Sequence, residues 1–306
     1  MVYLLIAISF STLVSLILKY SETRRLNRLG VTSTNYFFGF LIALYLIWRE
    51  GIFNFNPQLG EFKNSFLPVL QGQIPVFSEN GSFFWAILAG IPGGVCYFFG
   101  FIFIQKSIKE NGVSITSAFA KLGIFVPMAF SIFLWKEIPT LFQWVGIALA
   151  IIAIASVHYT EDLKQSLNSI KKSLILVFFV VGLSEFSNKF FQHYASTRFK
   201  SLFLFSVFFT AFLISGLFTL LQSRKITRKD ILVGILVGIP NMFTSWFLIQ
   251  SFNYMKAAVV FPLYSSMTIV MITLGGVALF GERLKKKEVI AIFLTICAIV
   301  ITRISQ

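Results

Sequence analysis

Long, nearly uninterrupted apolar runs dominate this sequence and restrict it to one class of fold. A bilayer core about 30 Å thick is crossed by roughly 20 apolar residues in an α-helix, and lipid leaves the backbone no partner outside the segment. We therefore expect an all-α, multi-pass integral membrane protein of the cell membrane with ten transmembrane helices. The ten runs are Val2–Leu18, Ser33–Trp48, Phe83–Gln105, Ser114–Trp135, Leu141–Val157, Ser173–His193, Ser201–Leu221, Ile231–Tyr254, Ala257–Phe280 and Val289–Ile304.

Composition argues against a soluble protein and against a nucleic-acid-binding protein. The 306 residues are 57% hydrophobic and 12% charged, whereas soluble domains carry roughly 25% charged residues. The net charge of +14 comes from short Lys and Arg clusters between the apolar runs. Such clusters suit the surface of a membrane and its anionic headgroups. Membrane lipids are therefore expected partners, and nucleic acid is not.

No motif for metal, cofactor or covalent chemistry is present. Cys96 and Cys297 lie inside apolar runs, and phosphate-loop, zinc-protease and hydrolase motifs are absent. We predict no catalytic residue, no metal and no cofactor. The first run lacks a basic flank and a small-residue cleavage site, so we expect a retained helix.

An internal repeat divides the chain into two sets of five helices. Trp85–Pro92 is similar to Leu232–Pro240, and Phe133–Glu137 is similar to Leu279–Arg283. The predicted repeats are residues 1–158 and 173–306, joined by a linker over 159–172. Two consecutive units with an odd number of helices lie inverted in the membrane, as in secondary transporters, whose sites lie near the midplane. The alternative is a chance likeness between Gly-rich apolar helices.

The chain resembles the drug/metabolite transporter superfamily, in its EamA-like family. The resemblance rests on the five-plus-five repeat, on Gly281-Glu282-Arg283-Leu284 between the last two helices, and on Pro127 ten residues before Glu137. The first repeat departs from the pattern, with Trp135-Lys136-Glu137 in place of Gly-Glu. The resemblance implies a small-solute carrier that works by alternating access, often as an exporter. It does not fix the substrate.

Charged residues inside the apolar runs are the first candidates for a site. A charge at mid-bilayer costs at least about 2.5 kcal/mol, so it is retained for a reason. We expect Glu185 to carry a coupling proton and Lys121 to be a counter-charge to it or to an anionic substrate group. Lys189 lies four residues after Glu185, on the same helix face. The structural alternative is a Glu185–Lys189 pair, with Lys189 reaching to the membrane surface.

Uncharged polar residues extend the predicted site. They lie in the sixth, eighth and ninth apolar runs. In the eighth run, Asn241 follows Pro240, which frees a backbone carbonyl one turn earlier, and in the ninth run the polar residues follow Pro262. The alternative for each is ordinary hydrogen bonding between helices. These candidates for substrate binding are Asn188, Asn241, Trp246, Gln250, Tyr264 and Ser265.

These observations predict a secondary transporter that exports a small polar metabolite, such as an amino acid or a related compound, with protons as the coupling ion. The alternatives are a flippase for a lipid or lipid-linked sugar and, less well supported, a membrane enzyme, for which the only adjacent acids, Glu161 and Asp162 in the linker, have no obvious partner. We expect a monomer or a homodimer. The distribution of Lys and Arg favours termini outside the cell, whereas the family resemblance implies cytoplasmic termini.

Overall fold

The computed structural model describes residues 1–111, 113–158, 172–222, 224–281, 283–284 and 286–304. Helix accounts for 85% of the described residues, which contain no strand. Short 3-10 turns precede α3 and α9. The α-helices are α1 (Val2–Thr23), α2 (Arg28–Arg49), α3 (Leu59–Leu70), α4 (Glu79–Asn111), α5 (Val113–Leu122), α6 (Phe125–Trp135), α7 (Leu141–His158), α8 (Lys172–Tyr194), α9 (Lys200–Leu221), α10 (Arg228–Ser251), α11 (Ala257–Phe280) and α12 (Lys286–Ile304).

Within the described residues, seven helices are long and apolar enough to cross a membrane: α1, α2, α4, α8, α9 with the turn before it, α10 and α11. Two shorter apolar stretches, Phe119–Trp135 and Leu141–Ser156, add to them. The first turn of α12 contains Lys286, Lys287 and Glu288, and these charges leave a shorter apolar segment behind them. The all-helical, multi-pass class is thus confirmed, and the count of ten spans stays a prediction.

The fourth predicted span is not one continuous helix, and this corrects the expectation for Ser114–Trp135. A turn at Gly123 and Ile124 separates α5 from α6. Pro127 has no N–H, so it cannot bond to the carbonyl of Gly123 four residues earlier. That carbonyl instead accepts a hydrogen bond from the Val126 N–H at 2.9 Å. The span is therefore a broken helix with two short halves.

The second helix and the loop that follows it also differ from the predicted boundaries. Helix α2 begins at Arg28, ahead of the predicted start at Ser33, because the Asn27 side chain caps it by accepting a hydrogen bond from Gly30 N. The segment between α2 and α4 contains α3, a helix that the ten predicted runs do not include.

The helices cluster into two compact units. Unit 1 comprises Met1–Thr12, Phe99–Phe186 and Ser251–Gln306; unit 2 comprises Leu13–Phe98 and Ser187–Gln250. In unit 1, α11 packs against α6, α7 and α12; in unit 2, α2 packs against α9. Each unit draws segments from both halves of the sequence, and the proposed repeats over 1–158 and 173–306 stay a prediction.

Two helix ends in unit 1 have the same geometry. Lys136 ends α6 with φ 52°, and Gly281 ends α11 with φ 66°. In each case the N–H donates to the carbonyl five residues earlier, that of Ser131 or Gly276. The lysine that departs from the Gly-Glu pattern in the first half thus adopts the left-handed conformation usually reserved for glycine.

Candidate functional site

The broken fourth span places a charged pair inside unit 1. Lys121 lies in the last turn of α5, directly before the break, where the free carbonyls of a helix end favour a cation. Glu185 lies in the middle of α8, and its carboxylate interacts electrostatically with Lys121. Both side chains are half-buried. The structure therefore brings together the two charges to which the sequence assigned coupling and counter-charge.

Two glycines allow this approach. A Cβ on Gly123 would lie 2.7 Å from the Phe178 carbonyl oxygen, and a Cβ on Gly182 would collide with the Gly123 carbonyl oxygen and with Val126. The backbones of α8 and of the break are thus in direct contact, as at small-residue helix crossings in membranes. Lys121 lies two residues before one glycine and Glu185 three residues after the other.

Helix α11, which contributes Tyr264 and Ser265, is fixed at its start by the end of the broken span. The Glu137 carboxylate accepts a hydrogen bond from the Ala257 N–H at 2.7 Å, and the Lys256 ammonium donates to the Ile138 carbonyl at 2.7 Å. Tyr264 and Ser265 are both buried in α11. Their role as substrate contacts stays a prediction.

A second polar cluster lies in unit 2, around the Tyr97 side chain of α4. The Asn188 amide donates to the Tyr97 hydroxyl at 3.2 Å, and the Tyr97 and Ser245 hydroxyls lie 3.0 Å apart. The Tyr36 hydroxyl donates to the Tyr97 carbonyl at 3.2 Å. Nearby in the same unit, Asn241 of α10 donates its amide to the Asn35 side-chain oxygen of α2 at 3.1 Å.

Two polar atoms of predicted site residues have no protein partner among the described residues. Asn188 is 0% exposed, and its side-chain oxygen accepts no hydrogen bond. The Trp246 indole N–H is also buried and donates none. Buried polar groups are nearly always satisfied, so an acceptor and a donor left open in one unit suit contacts with a polar ligand.

Two cations of unit 2, Lys200 and Lys189, are held by identifiable groups. The Lys200 ammonium lies 4.1 Å from the centroid of the Trp246 ring and interacts electrostatically with Glu50. The Lys189 ammonium donates to the Gln192 side chain at 2.8 Å. Lys189 is 3% exposed, so the alternative in which it reaches the membrane surface is wrong. Gln250 is half-buried near the end of α10.

Several members of the second cluster were not among the predicted site residues: Asn35, Tyr36, Tyr97, Lys200 and Ser245. Asn35 had a usable signal, since an amide in an apolar run needs a partner. Lys200 had one as well, at the edge of the seventh run. The tyrosines and Ser245 carried none, because these types occur on packing faces throughout the chain.

Comparisons with known proteins give a family and a fold. Residues 172–304 match the EamA-like transporter family. A protein of Haemophilus influenzae described only as uncharacterized is 26% identical over 230 residues, which cover 72% of this chain and 75% of the relative. A crystal structure described only as that of a protein aligns over 99% of this chain and 96% of its own, with a TM-score of 0.71 and 14% identity. That likeness shows a shared fold.

The family match confirms, over residues 172–304, the resemblance stated from the sequence. It covers α8 to α12, which include Glu185, both orphaned polar side chains and the Gly281 turn. The family is described as one of transporters, and the seven apolar candidate spans fit a multi-pass membrane protein. Residues 172–304 are accordingly assigned to the EamA-like transporter family.

Proposed function

We propose that this protein is a secondary transporter that exports a small polar metabolite by alternating access, coupled to protons through Glu185. Amino acids and related zwitterions are the proposed substrate class. The proposed architecture is ten transmembrane helices in two inverted five-helix repeats. The common conformation of Lys136 and Gly281 at matched helix ends supports the repeat.

The observation that carries this proposal is the broken fourth span beside Glu185. Discontinuous helices in transporters expose backbone carbonyls and helix ends to substrate and coupling ion near the midplane. Here the break leaves Lys121 at a helix end, with Glu185 within its electrostatic reach. A carboxylate within electrostatic reach of a lysine can exchange that interaction for a proton or for a cationic group of the substrate.

The open polar atoms of unit 2 support a zwitterionic or strongly polar substrate. The Asn188 oxygen accepts a hydrogen bond from an ammonium or amide, and the Trp246 N–H donates one to a carboxylate or carbonyl. The aromatic side chains around Tyr97, including Tyr36 and Phe208, offer apolar contact. These features suit a small solute with both donor and acceptor groups.

The coupling role is tested in proteoliposomes with Glu185→Gln. We expect this variant to lose uptake driven by a pH gradient while retaining part of its substrate exchange, because an amide cannot release a proton. Glu110→Gln is the matched control. Glu110 is a carboxylate of unit 1 that lies near Lys106 at the exposed end of α4, so its neutralisation should leave both activities intact. Unchanged pH dependence in Glu185→Gln would remove this residue from the mechanism.

The substrate class is tested by thermal-shift screening of purified protein against amino acids, other polar metabolites and lipophilic cations. Stabilisation by zwitterions, lost in Asn188→Leu and reduced in Trp246→Phe, is the expected result. Stabilisation by lipophilic cations alone would contradict the proposed substrate class.

A further inference from the structure

A cavity of about 480 Å³ lies in unit 2, where the end of α1 meets the start of α10. Residues of α1 and the turn after it form one wall, and the first two turns of α10 form the other. The lining residues are Tyr20, Arg24, Leu26, Lys229, Leu232, Val233 and Leu236. None of them belongs to the transport site proposed above.

The rim of the cavity is cationic. Arg24 and Lys229 are exposed, and neither forms an ion pair with an acidic residue in the part of the chain that the structure describes. The Arg24 guanidinium lies 5.5 Å from the Tyr20 ring centroid, which holds it beside the cavity. By contrast, Arg28, next to this site in sequence, is paired with Glu22.

The acidic residue nearest in sequence, Asp230, does not neutralise these cations. It is buried, and its two oxygens accept hydrogen bonds from Asn27 N at 2.8 Å, Thr227 N at 2.7 Å and Thr227 Oγ1 at 2.7 Å. These three hydrogen bonds to the Asp230 carboxylate connect the turn after α1 to the start of α10. The two rim cations are left available for an external anion.

The rest of the cavity is apolar and continues along a candidate membrane span. Leu232 and Leu236 lie one turn apart on α10 and are 60% and 56% exposed. Leu26 and the buried Val233 complete this surface. Positive charge at the helix end, followed directly by aliphatic side chains along the span, matches the order of groups in a phospholipid.

The cavity is built before any ligand binds. Arg25 adopts φ 51°, and the turn after α1 closes with hydrogen bonds from Arg25 N to Glu22 O and from Leu26 N to Ser21 O. This is a Schellman ending, which directs Leu26 into place. The Arg224 guanidinium then donates to the Arg25 carbonyl at 2.7 Å, and the Asp230 contacts complete the connection.

We propose that this cavity is a binding site for one anionic phospholipid. Arg24 and Lys229 hold its phosphate, and an acyl chain lies along Leu232 and Leu236. Charge complementarity selects an anion, and the apolar strip selects a membrane lipid over a free phosphate, which would leave that strip unused. The site is separate from the transport site and goes beyond the proposed function.

The test uses the full chain, purified and delipidated in detergent, with bound lipid counted by native mass spectrometry. We expect one phosphatidylglycerol to bind in preference to phosphatidylcholine with the same acyl chains. Arg24→Gln combined with Lys229→Gln should weaken phosphatidylglycerol binding roughly 30-fold, as expected for two basic side chains at a lipid surface. Arg24→Lys combined with Lys229→Arg should retain it.

The matched control is Arg283→Gln combined with Lys286→Gln, which removes the same charge at another exposed helix end. Because this control alters only the overall surface charge, it should change phosphatidylglycerol binding by less than about threefold. An equal loss in this control would reduce the effect to net charge and overturn the site. Equal binding of the two lipids, or displacement of phosphatidylglycerol by millimolar inorganic phosphate, would also overturn it. A thermal unfolding scan of the double variant in phosphatidylcholine micelles separates lost binding from lost folding.

Discussion

At the scale of single residues, backbone conformation decides what two glycines contribute. Gly281 has φ 66° and open space around its Cβ position, whereas Gly60, in the first turn of α3, has equally open space without a positive φ. Gly281→Ala should therefore lower the free energy of unfolding by about 1 kcal/mol, the cost of a left-handed alanine. Gly60→Ala should raise it by about 0.4–1 kcal/mol, because alanine loses less chain entropy on folding. Equilibrium unfolding in mixed micelles measures both, and equal changes would contradict the conformational account.

The second prediction at the scale of single residues concerns the contribution of the Tyr97 hydroxyl to stability. It accepts from Asn188 and lies beside Ser245, so Tyr97→Phe leaves two buried polar groups without a partner, at a cost of about 1–3 kcal/mol. Tyr36→Phe is the matched control. It removes a single hydroxyl that donates to a helical carbonyl, and should cost about 0.5–1.5 kcal/mol. A larger loss for Tyr36→Phe, measured by the same unfolding assay, would show that the cluster is not centred on Tyr97.

Residue chemistry determined which members of the site could be predicted. Lys121, Glu185 and Asn188 stood out because their types are costly in an apolar run. Tyr97 and Ser245 did not, since tyrosine and serine occur on packing faces throughout the chain. Their importance arises from the partners that folding brings to them, which a single sequence does not show.

At the scale of elements, the apolar runs predicted the helices well and the break in the fourth span poorly. Pro92, Pro240 and Pro262 all lie inside helices without such an interruption, so Pro127 alone does not predict a break. What differs is the glycine contact between Gly123 and Gly182, which supports the exposed backbone of the turn from another helix. That contact is non-local and has no local sequence signal.

The glycine crossing gives an element-scale prediction. Gly182→Ala places a methyl group against the Gly123 carbonyl oxygen and Val126, and neither backbone can move without displacing a helix. We expect a loss of about 1–3 kcal/mol in stability, and reduced transport. Gly100→Ala on α4 is the control. A Cβ at Gly100 also faces α8, but the nearest atom, on Val181, is 3.7 Å away, which is an ordinary contact distance. Thermal unfolding and transport of the two variants should differ; equal behaviour would contradict a tight crossing.

At the scale of the whole molecule, sequence halves and compact units divide the chain differently. The sequence predicts two halves over 1–158 and 173–306, whereas each compact unit combines segments of both. The family match extends over 172–304, and the shared fold over nearly the entire chain. The all-helical, multi-pass class was thus accessible from the sequence, whereas the grouping of segments into units depends on tertiary packing.

The prediction for the whole molecule is its orientation in the membrane, with both termini outside the cell. Thr23 is exposed at the end of α1, whereas Ser21 is only 4% exposed, so Thr23 is the labelling site for that side of the membrane. Asn56, exposed in the loop after α2, is the labelling site for the opposite side. In a variant without Cys96 and Cys297, a membrane-impermeant thiol reagent should label Asn56→Cys and not Thr23→Cys on intact cells, because basic residues stay in the cytoplasm. The reverse pattern would restore the orientation implied by the family.

The broken span also has a consequence for biosynthesis. Helices α5 and α6 contain 10 and 11 residues, or about 15–17 Å each, roughly half the hydrocarbon thickness. Neither half can partition into the bilayer by itself, and the backbone of the turn between them is tolerated there only when protein covers it. Its cover, Gly182 in α8, is synthesised later. The contact between the turn and α8 can therefore form only after α8 has been synthesised, so the final packing of this span is a late step in folding.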